Sequence, residues 1–383
     1  AHGCLLIAGR NFQIIFFGFE KKIFQNRQSV TVTTSNTLPI LEYFLFKTKE
    51  NDLEITASDQ ETTMSITVTP IMMEDGGAIA IPSKILLDTL KTYHDTPLTF
   101  LTDPSTFAVE IIADNAKFKL SGQDPQDFPE IPELINPATV TVNGEILVRG
   151  ISKTIFATGT DELRPEMTGV LFEFTEDKAT LAATDAHKII RYRHPDVHSS
   201  ETMSFIMPKK PLNQLKNTVP SDETPVLIEY NLKNARYTFN NVVLTSTLIE
   251  GKFPNYEAVI PRDNPNILII DRIALMTSIR RVSLFGNQST HLIRFRISGQ
   301  MISLSAEDYD FQNEASEVLS CAYDGEDIEI GFNSKFLLEM LSNIDTPNIR
   351  IETSAPNRAG VIFPETDENE VEDLLMLIMP VMI

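Results

Sequence analysis

The feature that most constrains this chain of 383 residues is an internal repeat of about 125 residues. Three strand-like segments each place an aspartate two positions after an alanine, namely Asp59, Asp185 and Asp308, which lie 126 and 123 residues apart. Such a spacing indicates duplicated structural units and not one large core. The segments read LEITASDQETTM (53–64), ATLAATDAHKII (179–190) and ISLSAEDYDFQN (302–313).

A second set of segments has the same spacing, and each predicts a strand that leads into an amphipathic helix. Its lysines, Lys84, Lys210 and Lys335, are 126 and 125 residues apart. The segments read IAIPSKILLDTLKTY (79–93), FIMPKKPLNQLKNT (205–218) and IGFNSKFLLEMLSNI (330–344). A third set, with helical periodicity near the start of each unit, covers 16–30, 142–158 and 270–285.

A fourth pair of segments, QDFPEIP and GKFPNYEAVIP, places Phe128 and Phe253 125 residues apart. Four features with one spacing predict three homologous α+β domains, divided at the proline-marked junctions INPATV and PRDNPNI. The predicted domains are 1–137, which includes an extension over 1–11, then 138–262 and 263–383.

The charge is unevenly distributed along the chain. A net charge of −21 argues against nucleic-acid binding by the whole surface. The six predicted helices (18–32, 83–94, 143–158, 208–218, 271–285 and 333–343) nevertheless hold 14 basic and five acidic residues, against 18 basic and 48 acidic elsewhere. The basic residues are Lys21, Lys22, Arg27, Lys84, Lys91, Arg149, Lys153, Lys209, Lys210, Lys216, Arg272, Arg280, Arg281 and Lys335.

A basic set of helices inside an acidic chain favours a lining that meets phosphates, although lysines on any single helix also serve solvation. The helices lack interleaved aromatic residues and any helix-turn-helix or zinc-finger spacing. We therefore expect non-specific phosphate contacts and no reading of bases.

The remaining composition places the chain in a reducing compartment. Two distant cysteines, Cys4 and Cys321, argue against a disulfide framework and favour the cytoplasm. No apolar run reaches the ~18 residues of a membrane helix. The sequence carries no metal-ligand spacing and no cofactor motif, so we expect neither a metal nor a cofactor.

An ordered set of segments resembles one known family, the bacterial DNA polymerase III beta subunit or sliding clamp. The resemblance runs from about residue 12 to the C-terminus, and NTLPIL with SDQETTM is most similar to the Bacteroidetes branch. The segments are NTLPILEYFLF (36–46), LRPEMTGVLFEF (163–174), TLAATDAHKI (180–189), EGKFPNYEAVIP (250–261), EIGFNSKFLLEML (329–341) and LIMPVMI (377–383).

The resemblance implies three clamp-type domains, each with two helices packed on antiparallel sheets, and a head-to-tail homodimer that forms a six-domain ring. It implies a non-catalytic processivity factor that encircles double-stranded DNA. The implied protein partners are the DNA polymerase III alpha subunit, the clamp-loader complex and other proteins with clamp-binding motifs, with no role for a membrane.

The resemblance also implies two sets of contact residues. Subunit-boundary positions fall on Phe118, Leu120, Leu284 and Phe285, which ordinary core packing would also explain. The partner-peptide cleft falls on Arg164, Met167, Thr184, His187, Ile189, Pro254, Val259, Asn333, Phe336, Met379, Pro380, Val381 and Met382. The family's usual aromatic, glycine and basic residues are replaced by Glu166, Ala186 and Met382, which leaves the preferred partner motif open.

Two other functions compete with this interpretation. An enzyme could use Asp185 and His187 as an oriented base, with Glu307, Asp308 and Asp310 as further carboxylates, but no nucleophile stands at a recognisable spacing. The repetition of the aspartate favours a turn-capping role instead. The second alternative is a peptide-binding adaptor that does not encircle DNA.

Overall fold

The computed structural model describes residues 12–16, 38–93, 96–199, 202–366 and 371–383. The predicted helix over 18–32, with Lys21, Lys22 and Arg27, and the extension over 1–11 lie outside these ranges. The chain divides into two compact units: unit 1 comprises 1–145 with 213–248, and unit 2 comprises 146–212 with 249–383. Within the described ranges, no helix has the length and apolarity needed to cross a membrane.

Strands dominate the described chain, and every strand pair in its sheets is antiparallel. The strands are β1 Phe12–Phe16, β2 Tyr43–Lys49, β3 Asp52–Ser58, β4 Thr62–Val68, β5 Met72–Glu74, β6 Ala78–Pro82, β7 Leu98–Asp103, β8 Ala108–Ala113, β9 Ala116–Ser121, β10 Ala138–Asn143, β11 Gly169–Phe174, β12 Ala179–Thr184, β13 Lys188–His194, β14 Met203–Pro208, β15 Pro225–Tyr230, β16 Asn234–Phe239, β17 Val242–Thr247, β18 Asn266–Asp271, β19 Leu292–Ser298, β20 Met301–Asp308, β21 Asn313–Ser320, β22 Ala322–Asp324, β23 Ile328–Asn333, β24 Asn348–Thr353, β25 Gly360–Pro364 and β26 Asp373–Ile378.

Five of the six predicted helices are observed in the described chain, which confirms the α+β class. They are α1 Ser83–Thr92, α2 Gly144–Thr154, α3 Lys209–Thr218, α4 Arg272–Ser283 and α5 Ser334–Ser342. Short 3-10 helices cover Pro39–Glu42, Pro125–Asp127, Ile155–Ala157, Pro165–Met167 and Tyr256–Val259. None of these short helices was predicted from the sequence.

Side-chain caps and an apolar face explain why the helices form where they do. The Asn333 side chain accepts the backbone N–H groups of Lys335 and Phe336 and so starts α5. The same helix buries Leu337, Met340 and Leu341, which pack its apolar face onto the sheet side. The Asp271 side chain caps α4 in the same way through the N–H of Ala274.

The three repeat aspartates have one structural role, because each accepts a backbone N–H in the turn of a hairpin. Asp59 accepts from Thr62 at 2.8 Å, Asp185 accepts from His187 at 2.9 Å, and Asp308 accepts from Asp310 at 3.1 Å. The turn-capping role expected from the repetition is confirmed.

Two large sheets join strands of neighbouring predicted domains. In unit 1 the order is β10-β15-β16-β17-β4-β3-β2-β6, so β4 of the first repeat pairs with β17 of the second. In unit 2 the order is β14-β11-β12-β13-β26-β25-β24-β18-β22, so β13 of the second repeat pairs with β26 of the third. We call each of these two pairings a joint. The residue boundaries of the three domains stay a prediction.

Two smaller sheets complete the described fold. Unit 1 contains the order β5-β1-β7-β8-β9, and unit 2 contains the order β21-β20-β19-β23. In the described chain, β9 and β21 are therefore edge strands with no strand on their outer side. An exposed edge of this kind carries unpaired backbone groups and is suited to pairing with another chain.

Candidate functional site

The candidate cleft lies in unit 2 and is built around the turn that connects β12 to β13. The Asp185 carboxylate accepts the N–H groups of His187 and Lys188, each at 2.9 Å. The Thr184 hydroxyl, which is buried, donates to the Lys188 carbonyl at 2.8 Å. Ala186 has a positive φ of 74°, a backbone conformation that favours glycine. These bonds fix the turn and hold the His187 side chain at the surface.

Lys188 connects this turn to helix α5 although its side chain is only 5% exposed. Its Nζ lies 2.6 Å from an Asp185 oxygen and 3.3 Å from a Glu339 oxygen. The same atom stands 4.3 Å above the centre of the Phe336 ring, and that ring stacks on His187 with 5.9 Å between centroids. The buried cation thereby brings two predicted cleft residues, His187 and Phe336, into contact.

The C-terminal segment adjoins the same turn. The N–H of Met379 donates to the His187 carbonyl at 2.9 Å, and the N–H of Val381 donates to the Gly331 carbonyl at 2.8 Å. A Cβ at Gly331 would lie 2.6 Å from the Val381 oxygen, so only glycine permits this approach. The Met382 side chain remains 84% exposed and offers apolar surface to a ligand.

The segment Phe253–Ile260 forms a further wall above a buried apolar cluster. The Phe253 and Tyr256 rings are buried edge to face with 6.1 Å between centroids, while Val259 is 52% exposed. Burial raises the pKa of the Tyr256 phenol to about 12, so the ring stays neutral. The cluster contains Leu171, Ala182, Ile189, Ile206, Phe253, Tyr256, Ala359, Val361, Leu375 and Leu377.

The loop before β11 supplies the remaining predicted cleft residues. Arg164 is exposed and its Nε donates to Asp161 at 2.8 Å. Met167 is half-buried, and its carbonyl accepts the N–H of Gly159 at 2.8 Å. A Cβ on Gly159 would lie 3.6 Å from the Asp185 Cα, so this loop abuts the turn between β12 and β13.

Two of the four predicted subunit-boundary residues lie in unit 1 and two lie in unit 2. Phe118 and Leu120 are half-buried on the edge strand β9 in unit 1. Leu284 and Phe285 follow α4 in unit 2, where they are 74% and 45% exposed. Exposure of large apolar side chains argues against ordinary core packing for Leu284 and Phe285.

The predicted DNA-facing basic residues differ in their exposure. Lys91, Arg149, Lys216 and Arg272 are half-buried, and Lys153 is buried. The exposed members are Lys84, Lys209, Lys210, Arg280, Arg281 and Lys335.

Three of these basic residues contact segments of unit 2 that are distant in the sequence. Lys153 Nζ lies 2.6 Å from Asp345 and 2.7 Å from the Asn343 carbonyl. Arg149 Nε lies 2.6 Å from Glu372, and Arg272 donates to the carbonyls of residues 341 and 346. These side chains connect parts of unit 2 and are less available to a ligand.

The carboxylates in these contacts have perturbed acidities. Burial would raise the pKa of the Glu372 carboxyl, but hydrogen bonding to Arg149 and its charge outweigh burial and hold the pKa below 4.5. Burial would likewise raise the pKa of the Asp345 carboxyl, but the hydrogen bond from Lys153 and its charge hold that pKa below 3.8. Both carboxylates therefore stay ionised at neutral pH and favour the folded state.

The carboxylates considered for an enzyme have structural partners. Asp185 and Asp308 accept turn N–H groups, and Glu307 lies 3.3 Å from Arg294. Within the described ranges, no cluster of three His, Cys, Asp or Glu side chains could hold a metal ion. The arrangement orients turns and ion pairs and does not assemble an acid–base pair around a shared substrate position.

Sequence reasoning missed two residues that shape the cleft. Lys188 and Glu339 form the ion pair between the turn and α5, but neither stood out as a cleft position. Lys188 directly follows His187, and Glu339 follows Phe336 by three residues on α5. Their proximity to predicted cleft positions was the signal that could have identified them.

Repeated α+β domains that share sheets, together with an apolar cleft at one joint, define a binding scaffold of the sliding-clamp type. Profiles of the N-terminal, central and C-terminal domains of the DNA polymerase III beta subunit match residues 7–132, 141–255 and 257–381. The chain belongs to this family, the beta sliding clamps, which are non-catalytic accessory subunits of a DNA polymerase.

Individual relatives agree with this assignment. The beta sliding clamp of Vibrio cholerae is 27% identical over 347 residues, which cover 90% of this chain and 93% of that protein. The sliding clamp of Pseudomonas aeruginosa bound to griselimycin has a TM-score of 0.90 at 25% identity and covers 98% of this chain and 100% of its own. The beta subunit of Thermotoga maritima, at 22% identity, shares the fold with a TM-score of 0.87 and covers 97% of this chain and 100% of its own.

Proposed function

We propose that this chain is a replication sliding clamp in which two copies close head to tail around double-stranded DNA. In this proposal the clamp tethers the DNA polymerase III alpha subunit, the clamp-loader complex and other partners through the unit 2 cleft. It acts in the cytoplasm without a cofactor. Membership of the beta sliding clamp family carries the proposal.

The pattern of strand pairing supports closure by a second copy. In both joints, the strand after a turn aspartate pairs with the last strand of the next repeat: β4 with β17, and β13 with β26. Two strands of the same kind remain without such a partner in the described chain. They are β21, which follows Asp308, and β9, which is the last strand of the first repeat. Pairing β21 of one copy with β9 of another would extend the rule and remove both exposed edges.

The side chains beside these edges support the same contact. Phe118 and Leu120 lie on β9, and the exposed Leu284 and Phe285 follow the helix that packs on the β21 sheet. The edges also differ in charge, because β9 carries the exposed Lys119 whereas β21 carries the exposed Glu314. Opposite charge favours the head-to-tail pairing over pairing of like edges.

The opening of such a ring would accommodate a duplex. Twelve helices at a spacing of ~9–10 Å place their axes on a circle about 36 Å across. Subtracting one helix diameter of ~10 Å leaves roughly 26 Å. Exposed basic residues, Lys84, Lys209, Lys210, Arg280 and Lys335 among them, would then contact phosphates weakly while the ring retains the DNA by enclosure.

Retention on circular DNA tests the proposal. We expect labelled protein, loaded by a clamp loader with ATP, to co-elute with a nicked circular plasmid and to be lost after a restriction enzyme linearises that plasmid. Equal release from circular and linear DNA would contradict encirclement and favour an adaptor. A solution mass near twice the 43.0 kDa chain mass is expected for the closed dimer.

A further inference from the structure

Glu166 is an acidic residue of the cleft that lacks a partner in the described chain. It lies in the 3-10 helix Pro165–Met167 and is half-buried. No described residue forms an ion pair or hydrogen bond with its side chain, although it is flanked by the predicted cleft residues Arg164 and Met167. A half-buried carboxylate that forms no ion pair within the protein can pair with a cation or a donor that a ligand supplies.

The position of Glu166 places it between two cleft-forming segments. Its Cβ lies 3.8 Å from the position that a Cβ on Gly251 would take. Gly251, at a φ of 127°, leads into the wall formed by Phe253–Ile260, and Met167 on the other side is bonded to Gly159. A peptide that contacts Val259 and Met167 would therefore pass close to this carboxylate.

The cations around the cleft are largely neutralised within the protein. Arg164 is paired with Asp161, Lys188 with Asp185, and Arg193 with Glu257. Lys252 is exposed on the neighbouring loop and forms no ion pair within 4.0 Å of Glu166 or of any other described carboxylate. Lys252 is exposed, so solvent screens its charge, whereas Glu166 is half-buried between two cleft-forming segments. The less screened of these two charges is negative.

We propose that Glu166 selects partner peptides that carry a lysine or arginine beside their apolar anchors. This inference rests on the proposed function, because it concerns the ligand of the same cleft. The apolar walls supply most of the affinity, whereas the charge pair discriminates between peptides. Since the carboxylate is only half-buried, we expect a preference of roughly threefold to tenfold, reduced at high salt.

A peptide scan on the full chain tests the inference. Fluorescein-labelled ten-residue peptides with central leucine and phenylalanine anchors carry Lys, Gln or Glu at each other position in turn. At one position or more, we expect the Lys peptide to bind threefold to tenfold more tightly than the Gln peptide, and the Glu peptide to bind more weakly. The preference should vanish in Glu166→Gln and reverse in Glu166→Lys.

Glu176→Gln is the matched control. It removes the same charge from an exposed residue in the turn between β11 and β12, at the far end of β12 from Asp185, and should leave the preference unchanged. Equal affinities for all peptides at every position, or a lysine preference that persists in Glu166→Gln, would overturn the inference. If no peptide binds at all, the proposed cleft itself is wrong.

Discussion

The two joints between repeats use the same strand pairing but differ in side-chain chemistry at one matched position. In unit 1, Thr63 of β4 faces Thr245 of β17, and the Thr63 and Ser58 hydroxyls are 2.9 Å apart. In unit 2 the residue 126 positions after Thr63 is Ile189, and it faces Leu377 of β26. The repeat therefore specifies the backbone pairing, while a substitution at this matched position exchanges a polar contact for an apolar one.

The segments that follow the last strand of the first and second repeats differ in length. Phe128–Pro132 spans five residues, whereas the corresponding Phe253–Pro261 spans nine. In unit 1 a groove of 370 Å³ adjoins the joint, and its lining includes the hydroxyl residues Thr63, Ser65 and Thr245. In unit 2 the longer segment buries Tyr256 in the apolar cluster and presents Val259 to solvent. The longer segment thus turns one joint into a cleft.

The joints also differ in their ion pairs. In the described part of unit 1, the ion pairs join residues within one repeat, such as Lys49 with Glu54 and Arg236 with Glu229. In unit 2 several pairs connect the second and third repeats: Arg149–Glu372, Lys153–Asp345, Lys188–Glu339 and Arg191–Asp373. The joint beside the candidate cleft therefore gains an electrostatic contribution to its stability from ion pairs between the repeats.

The largest expected effect comes from removing the segment that only the unit 2 joint has. Deletion of residues 379–383 should lower the affinity for an apolar peptide at least about 100-fold, because Met379, Val381 and Met382 supply cleft contacts. Fluorescence polarisation measures the affinity. Light scattering should show an unchanged dimer mass, since β9 and β21 are intact. An unchanged peptide affinity would refute the cleft assignment.

Exchanging chemistry between the joints should produce unequal losses of stability. Ile189→Thr places a hydroxyl in the apolar cluster and should lower the free energy of unfolding by about 2–3 kcal/mol. The reverse exchange, Thr63→Val, removes one hydrogen bond to Ser58 and should cost only about 1 kcal/mol. Urea denaturation measures both values. Equal losses would contradict the proposed difference between the joints.

The buried cation of the cleft is a third point of difference. Lys188→Met should lower the free energy of unfolding by about 2 kcal/mol, less than for a fully buried pair, because Glu339 is half exposed. It should also weaken peptide binding, since Phe336 loses the cation above its ring. Lys188→Arg, the matched control, retains the charge and should recover most of the binding. An unchanged peptide affinity of Lys188→Met would contradict a role of this cation in positioning Phe336.

Acid should weaken the unit 2 joint selectively. The pKa of Glu372 is lower in the folded state than its ordinary value of 4.5. Its ionised carboxylate therefore stabilises the folded state above about pH 4.5, and this contribution is lost as the pH falls through the folded-state pKa. Glu372→Gln should therefore be less stable than the original chain by about 1 kcal/mol at pH 7. Thermal unfolding at several pH values should show this gap closing in acid. A gap that is independent of pH would contradict the ion-pair contribution.

The smallest expected effect concerns backbone strain in the turn beneath His187. The positive φ of Ala186 costs about 1 kcal/mol, and Ala186→Gly removes this strain. Glycine also gives the unfolded chain more conformational freedom, so we expect a net stabilisation of only about 0.5 kcal/mol. Ala183→Gly, in the buried extended strand β12, should instead destabilise. Denaturation curves for the two variants provide the comparison, and a destabilised Ala186→Gly would argue against strain.

Some of the basic residues that the sequence grouped together have different surroundings in the fold. Lys153 and Lys335 both lie on predicted basic helices, yet one is buried against Asp345 and the other is exposed. Helical periodicity identifies the polar face of a helix but does not show which neighbouring element covers that face. The acidic partners Asp345 and Glu372 are 192 and 223 residues away from their cations, so no local pattern could reveal them.

The sequence by itself determined the repeat, the α+β class, the turn aspartates and most helix starts, because these depend on interactions between residues close in the chain. Only the tertiary structure decided that β13 pairs with β26 and that the C-terminal segment lies beside His187. It also decided that Lys188 is buried against the face of the Phe336 ring. Such contacts join distant parts of the chain, and they form only when the whole sheet has folded and excluded water from between them.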